Sequence, residues 1–124
     1  KNLKKTKILV DGCHSDESTK NLARYLKKFK IPVYGICGML KNKNPNQLIK
    51  NFKGIFKKIA TVNIPEEPNA ENSNNLYKIA SKFKFNAIDS KNVKSALSKF
   101  SDKKKKIIVI FGSLYLAGHV LSIN

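Results

Sequence analysis

The feature that most constrains the fold is a regular alternation between short branched apolar runs and longer segments with helical periodicity. Branched apolar runs of this length are typical of buried strands, whereas apolar residues spaced three and four apart indicate amphipathic helices. Alternation of this kind along a whole chain favours an α/β layer fold with a mainly parallel sheet. The predicted strands are residues 7–10, 33–39, 59–64, 85–88 and 107–111.

Each predicted strand is followed by a segment whose apolar residues fall on one helix face. Polar residues just before these segments predict Asn44, Asn69 and Ser90 as the N-caps of the second, third and fourth helices. We therefore predict a single domain over residues 1–124, with a three-layer, Rossmann-like architecture. Its sheet would have five to six mainly parallel strands, with helices on both faces.

Length and hydropathy limit the class of protein. A chain of 124 residues is long enough for one ordinary domain with a real core. No stretch approaches the roughly 18 apolar residues of a membrane helix, and the first residues do not resemble a secretory signal, so we expect a cytoplasmic location. Cys13 and Cys37 are too few and too far apart for a zinc site, and we expect them to be buried, reduced thiols.

The chain is strongly basic, because 25 Lys and Arg residues against 8 Asp and Glu residues give a formal net charge of +17. A field of that sign attracts polyanions, so a basic module that binds nucleic acid is one alternative function. Base recognition depends largely on arginine, however, and Arg24 is the only one. We therefore favour a solvated lysine-rich surface, do not expect nucleic-acid binding, and predict a solubilising turn at the lysine run 103–106.

Polar residues follow the predicted strands, at the edge of a parallel sheet where ligands bind in open α/β folds. The positions selected in this way are 11–14, 38–44, 64–67 and 112–113. A carboxylate, an imidazole, a lysine and a hydroxyl would meet there, a set that suits an anionic or nucleotide ligand. Glu66 and Glu67 are expected to be solvated, because neighbouring loop side chains point apart, and His119 is expected to have no chemical role.

Three stretches at this edge carry short motifs. Residues 11–16 read Asp-Gly-Cys-His-Ser-Asp, residues 38–44 read Gly-Met-Leu-Lys-Asn-Lys-Asn, and residues 112–120 read Gly-Ser-Leu-Tyr-Leu-Ala-Gly-His-Val. In the same order, they resemble Asp-Gly-Ala-His-Asn-Pro, Gly-x-Leu-x-Asp-Lys-Asp and Gly-Ser-Leu-Tyr-Leu-x-Gly-x-Val. These motifs belong to the C-terminal domain of the folylpolyglutamate synthase and dihydrofolate synthase ligases, a domain shared with the Mur ligases. The resemblance covers essentially the whole chain, and the last motif is the most specific.

The resemblance implies an ATP-dependent amide ligase that phosphorylates a folate or dihydropteroate carboxylate, after which glutamate attacks the acyl phosphate. By carry-over from the family, Asp11 and His14 are expected to contact the nucleotide across an interdomain cleft. The loop lysine and the serine of the last motif, here Lys43 and Ser113, are expected to bind the carboxylate of the incoming glutamate. A lysine and a hydroxyl at a helix N-terminus also suit a carboxylate on physical grounds.

Essential parts of such an enzyme are missing from this sequence, which has no Gly-x-x-x-x-Gly-Lys-Ser/Thr phosphate loop and no cluster of magnesium ligands. The resemblance implies an N-terminal ATPase domain in the same chain that supplies them. We therefore expect a C-terminal glutamate-ligase domain that has no metal site and is inactive alone, and the start at Lys1 rather than Met agrees with a longer polypeptide.

The motifs also depart from the family pattern. Ser15 and Asp16 replace Asn-Pro, while Asn42 and Asn44 replace two aspartates. An inactive remnant of the ligase is therefore a further alternative. Dihydrofolate synthesis and folylpolyglutamate synthesis both stay open, because the surface that binds the folate would lie mostly outside these residues.

Overall fold

The computed structural model describes residues 6–122, so Lys1 lies outside the described residues, and five strands alternate with five α-helices in the described part. The strands are Thr6–Asp11 (β1), Val33–Cys37 (β2), Lys58–Val62 (β3), Ala87–Lys91 (β4) and Lys106–Phe111 (β5). The helices are Asp16–Leu26 (α1), Pro45–Lys50 (α2), Ser73–Lys82 (α3), Val93–Lys99 (α4) and Leu114–Ser122 (α5), and a short 3-10 helix, Lys41–Lys43, precedes α2. The alternation confirms the predicted α/β class.

All five strands are parallel, and their order in the sheet is β1-β5-β2-β3-β4. The strand β5 lies between β1 and β2 and is buried along its whole length, which explains why its sequence is a continuous apolar run after Lys106. The register pairs Phe111 with Asp11 on one side and with Cys37 on the other. Three neighbouring strands therefore end in one row.

Helices cover both faces of this sheet. The helices α1, α2 and α3 pack on one face, where the rings of Phe52 and Phe111 lie 4.6 Å apart between centroids. The helices α4 and α5 pack on the other face through residues such as Ala96 and Leu116. Alternate residues of β5 enter the two cores, as expected for a strand covered on both sides. The predicted three-layer architecture is confirmed.

Two of the predicted N-caps are wrong. The helix α3 is capped by Asn72, whose side chain accepts the backbone N–H three residues later at 2.8 Å, and not by Asn69. The helix α4 is capped in the same way by Asn92, at 2.7 Å. Ser90, the predicted cap of α4, is instead a buried residue of β4. Both loops offer several capping residues, so local sequence does not determine which one is used.

The start of α2 and some strand ends also differ from the prediction. Asn44 precedes Pro45 as predicted, but its backbone is left-handed (φ 54°) and its side chain makes no capping hydrogen bond. Asparagine tolerates this conformation better than most residues. The strand β4 starts at Ala87, which pairs with Ile59 of β3, and not at residue 85. Register with the neighbouring strand, and not apolar character alone, sets where β4 begins.

The prediction of a solubilising turn at residues 103–106 is wrong for its last lysine. Lys106 begins β5 and is only 2% exposed, whereas the three preceding lysines are exposed. Its Nζ donates to the carbonyl oxygen of Phe100 at 2.8 Å, forms an ion pair with Asp102, and lies 5.7 Å from the ring centroid of Tyr34. The hydrogen bond from Lys106 lowers the pKa of Asp102. Lys106 therefore ties the loop after α4 to the sheet.

No helix among residues 6–122 is both long enough and apolar enough to cross a membrane.

Replacing Lys106 with alanine tests this buried contact. The change leaves the Phe100 carbonyl without its donor, so we expect a loss of about 2–3 kcal/mol in the free energy of unfolding. The control Lys105→Ala removes an exposed lysine and should change stability by less than about 0.5 kcal/mol. Urea denaturation measures both values, and equal effects of the two substitutions would contradict a buried role for Lys106.

Candidate functional site

A glycine follows each of the three strands that end in one row, namely Gly12 after β1, Gly112 after β5 and Gly38 after β2. A Cβ atom at Gly112 would lie 2.5 Å from the carbonyl oxygen of Gly38, and φ at Gly112 is +115°, which side chains disfavour. A Cβ atom at Gly12 would lie 2.5 Å from Cδ2 of Leu114. The start of α5 therefore packs closely against Gly12, and Gly112 packs closely against Gly38 at the end of the neighbouring strand.

Ser113 immediately precedes α5 at this edge and is 1% exposed. Its Oγ accepts the backbone N–H groups of Tyr115 at 3.0 Å and Leu116 at 3.4 Å, so it caps the helix. These two bonds use the oxygen as an acceptor and leave the hydroxyl hydrogen free to donate. Capping and ligand binding are therefore compatible at Ser113.

His14 lies in the loop between β1 and α1 and is half-buried. Its Nδ1 donates to the carbonyl oxygen of Gly12 at 3.0 Å, since a carbonyl can only accept. Its backbone N–H donates to Oγ of Ser18 at 3.2 Å. These contacts orient the imidazole, and in the neutral ring they make Nε2 the acceptor.

The loop after β2 is paired with the loop between β3 and α3. Leu40 and Ala70 form an isolated antiparallel bridge, and the N–H of Lys41 donates to the carbonyl oxygen of Asn69 at 2.8 Å. This pairing positions the short 3-10 helix, whose last residue is Lys43, at the same edge of the sheet as Ser113.

Together these elements form a cleft of about 300 Å³ at the carboxyl ends of the strands. Its lining includes His14, Lys43, Glu67, Ser113 and Tyr115. The structure thus brings together three of the four predicted site residues in one cleft. The binding roles of these residues stay predictions.

Asp11 ends β1 at the same edge but does not line the cleft. Its Oδ1 accepts the backbone N–H of Cys13 at 2.8 Å, which closes a short turn after the strand. Cys13 and Cys37 are both free and buried, as predicted, and burial raises the pKa of both thiols, that of Cys13 to about 12. Within residues 6–122, no three His, Cys, Asp or Glu residues are grouped as a metal site requires.

Glu67 lines the cleft, although the sequence analysis gave it no role there. Glu66 is exposed and left-handed (φ 61°), whereas Glu67 is half-buried and lines the cleft. Oε2 of Glu67 accepts the backbone N–H of Asn69 at 3.2 Å. The expectation that both glutamates are solvated is therefore wrong for Glu67. Its position after β3 was a usable signal, but the turn at Glu66 that separates the two side chains is not evident from local sequence.

The residues that replace Asn-Pro in the first motif have local structural roles. Ser15 caps α1, and its Oγ accepts the N–H of Ser18 at 3.1 Å. Asp16 forms an ion pair with Lys20 at 3.0 Å and accepts from Nδ2 of Asn51 at 3.0 Å. Hydrogen bonds from Asn51 and then from Lys20 lower the pKa of Asp16. The carboxylate of Asp16 therefore forms contacts within α1 and between the start of α1 and the end of α2.

A family model of the dihydrofolate synthetase C-terminal domain matches residues 1–123 of this chain. The chain belongs to that family. This membership confirms the resemblance seen in the three motifs. No curated protein matches the chain in a sequence comparison.

Solved structures of folylpolyglutamate synthases have the same fold. The Mycobacterium tuberculosis enzyme, complexed with ADP and AMPPCP, superposes with a TM-score of 0.83 at 18% identity, over 94% of this chain and 29% of its own. Escherichia coli FolC, in complex with DHPP and ADP, gives 0.81 at 18% identity over 94% and 28%. The Thermotoga maritima enzyme gives 0.71 at 27% identity over 90% and 26%. The chain thus spans less than a third of the length of each of these enzymes.

The close packing at Gly112 predicts a large effect of Gly112→Ala. The added methyl group would meet the Gly38 carbonyl and hold a strained φ, so we expect a loss of about 3 kcal/mol or more in unfolding free energy. Gly118 lies within α5 and has open space around its Cα, so the control Gly118→Ala should stabilise the chain by about 0.5–1 kcal/mol. Urea denaturation of both variants measures the difference, and a mild effect at Gly112 would refute the packing argument.

Proposed function

We propose that this chain is the C-terminal domain of an ATP-dependent ligase that joins glutamate to a folate or dihydropteroate carboxylate. The proposal rests on one observation. In this chain, which belongs to the family, His14, Lys43 and Ser113 line the same cleft. The nucleotides in the Mycobacterium tuberculosis and Escherichia coli structures, and DHPP in the latter, support the same substrate classes here. The two free, buried thiols are consistent with a reducing compartment, so we also propose a cytoplasmic location.

Lys43 and Ser113 are suited to hold a carboxylate of the incoming glutamate. The ammonium of Lys43 supplies charge, and the hydroxyl of Ser113 donates at the N-terminus of α5, where the helix dipole also favours an anion. Fixing the carboxylate would orient the amino nitrogen for attack on the acyl phosphate. In that step the ammonium first loses a proton to water, and the resulting amine forms the C–N bond. The C–O bond to the phosphoryl group breaks, inorganic phosphate leaves, and the amide nitrogen releases its second proton to water.

Asp11 and His14 would contact the nucleotide from the other side of β5. Oδ1 of Asp11 is engaged by Cys13, and the carboxylate keeps lone pairs that a ribose hydroxyl could use. His14 lines the same cleft as Lys43, so nucleotide and amino acid would meet at the row of strand ends.

Magnesium and the phosphate loop would come from an N-terminal domain of the same polypeptide. Mg²⁺ needs octahedral oxygen coordination, usually with one or two carboxylates and the substrate phosphates. Within residues 6–122, no three His, Cys, Asp or Glu side chains are grouped, so we place the metal ligands outside this part of the chain. The domain described here would therefore contribute ligand contacts without being active alone.

Substitutions at Lys43 and Ser113 test the glutamate contacts in the complete ligase. We expect Lys43→Met and Ser113→Ala each to raise KM for glutamate about 10-fold or more, because each removes a hydrogen bond to a charged group. KM for ATP should stay within about two-fold of the wild-type value. Glutamate-dependent ADP formation measures both constants.

The matched control for Lys43→Met is Lys41→Met, since Lys41 is an exposed residue of the same 3-10 helix. Thermal unfolding of Ser113→Ala separates lost capping from lost binding. Unchanged KM for glutamate in both cleft variants would exclude the proposed carboxylate site.

Substitutions at Asp11 and His14 test the nucleotide contacts. Asp11→Asn keeps an oxygen for the N–H of Cys13 and His14→Ala removes the imidazole, so each should raise KM for ATP about 5-fold or more with little change for glutamate. The control Asp16→Asn makes the same carboxylate-to-amide change in the neighbouring turn and should leave KM for ATP unaltered. A KM for ATP that is equally insensitive to all three changes would refute the assignment.

A further inference from the structure

The proposed function gives no role to Glu67, whose carboxylate lines the cleft. Lys43 and Ser113 can donate hydrogen bonds to a ligand, whereas the ionised carboxylate of Glu67 can only accept them. The carboxylate of Glu67 uses one of its roughly four acceptor positions for the N–H of Asn69, at 3.2 Å. The carboxylate of Glu67 can therefore still accept hydrogen bonds from a cationic group of a ligand.

Glu67 and Lys43 share the cleft without neutralising each other. The ion pairs within residues 6–122 are Lys20–Asp16, Lys91–Asp89 and Lys106–Asp102. Glu67 and Lys43 do not form one of these pairs, so their carboxylate and ammonium groups lie more than 4.0 Å apart, although both residues line the cleft. A cleft with separated opposite charges is complementary to a zwitterion.

The backbone holds Glu67 at the cleft before any ligand binds. The left-handed turn at Glu66 precedes it, and its carbonyl oxygen accepts the N–H of Ala70 at 3.1 Å. Ala70 in turn forms the bridge to Leu40, at the start of the loop that carries Lys43. The two charged side chains are therefore carried by paired loops, which limits the ordering cost of binding.

The size of the cleft also favours a small zwitterion. Its volume of about 300 Å³ is at the lower end of the range for ligand pockets and suits an amino acid better than a whole nucleotide. The phenol of Tyr115 is exposed at the same edge and adds an amphipathic wall.

We propose that Glu67 binds the α-ammonium group of the incoming amino acid while Lys43 and Ser113 hold a carboxylate of the same molecule. This inference rests on the proposed ligase function and adds recognition of the amino group to it. Glu67 is thereby a specificity residue that distinguishes an amino acid from a dicarboxylate without an amino group.

The test uses Glu67→Gln in the complete ligase, with Glu66→Gln as the matched control. Glutamine keeps the size of the side chain and an oxygen for the N–H of Asn69, so the loop should be preserved. We expect Glu67→Gln to raise KM for glutamate about 10-fold or more and Glu66→Gln to change it less than about two-fold. Glutamate-dependent ADP formation gives both values.

Inhibition by glutarate separates binding from a general loop effect. Glutarate has both carboxylates of glutamate but no amino group, so the inhibition constant should be unchanged or lower in Glu67→Gln. An equal weakening of glutamate and glutarate would overturn the assignment of Glu67, as would a variant that behaves like Glu66→Gln. A wild-type ligase without glutamate-dependent ADP formation would overturn both this assignment and the proposed function, so the two failures are distinguishable.

Discussion

The close approach of Gly112 to the carbonyl group of Gly38 is the constraint on which the site depends. The glycines after β1 and β2 let the first turn of α5 pack on the strand ends, and the glycine after β5 permits the close approach to Gly38. That position buries Ser113 at the cleft and directs the N-terminus of α5 towards it. Gly12, Gly38 and Gly112 are therefore packing residues, and the polar residues beside them lie at the cleft because these glycines permit that packing.

The fold was predictable because its signals are local. A buried central strand such as β5 needs an apolar run, and the amphipathic helices need apolar residues at fixed spacing. Helix caps were less predictable, because the loops contain several asparagine and serine residues. Long-range contacts decide among them at α3, where Asn63 accepts the N–H of Ser73 and Thr61 donates to its carbonyl oxygen. These contacts place the helix start next to Asn72.

The candidate site was predictable in part for the same reason. Strand ends are identifiable from sequence, and parallel topology brings them to one edge, so the meeting of His14, Lys43 and Ser113 follows from local signals and the motif resemblance. The place of Glu67 does not follow, because it depends on a left-handed residue and on pairing between two loops distant in sequence. A contact between loops has no periodicity that a single sequence could reveal.

The positions of the basic residues distinguish Lys43 from the other cations, which the net charge alone does not. The last turns of α1 to α4 carry Arg24, Lys50, Lys82 and Lys99, where a cation stabilises the helix dipole. Lys43 also ends a helix, the short 3-10 helix, but it shares a cleft with the N-terminus of α5. The ammonium of Lys43 and the positive end of the α5 dipole repel each other unless an anion lies between them. This position of Lys43 therefore favours an anionic ligand such as a carboxylate in the cleft.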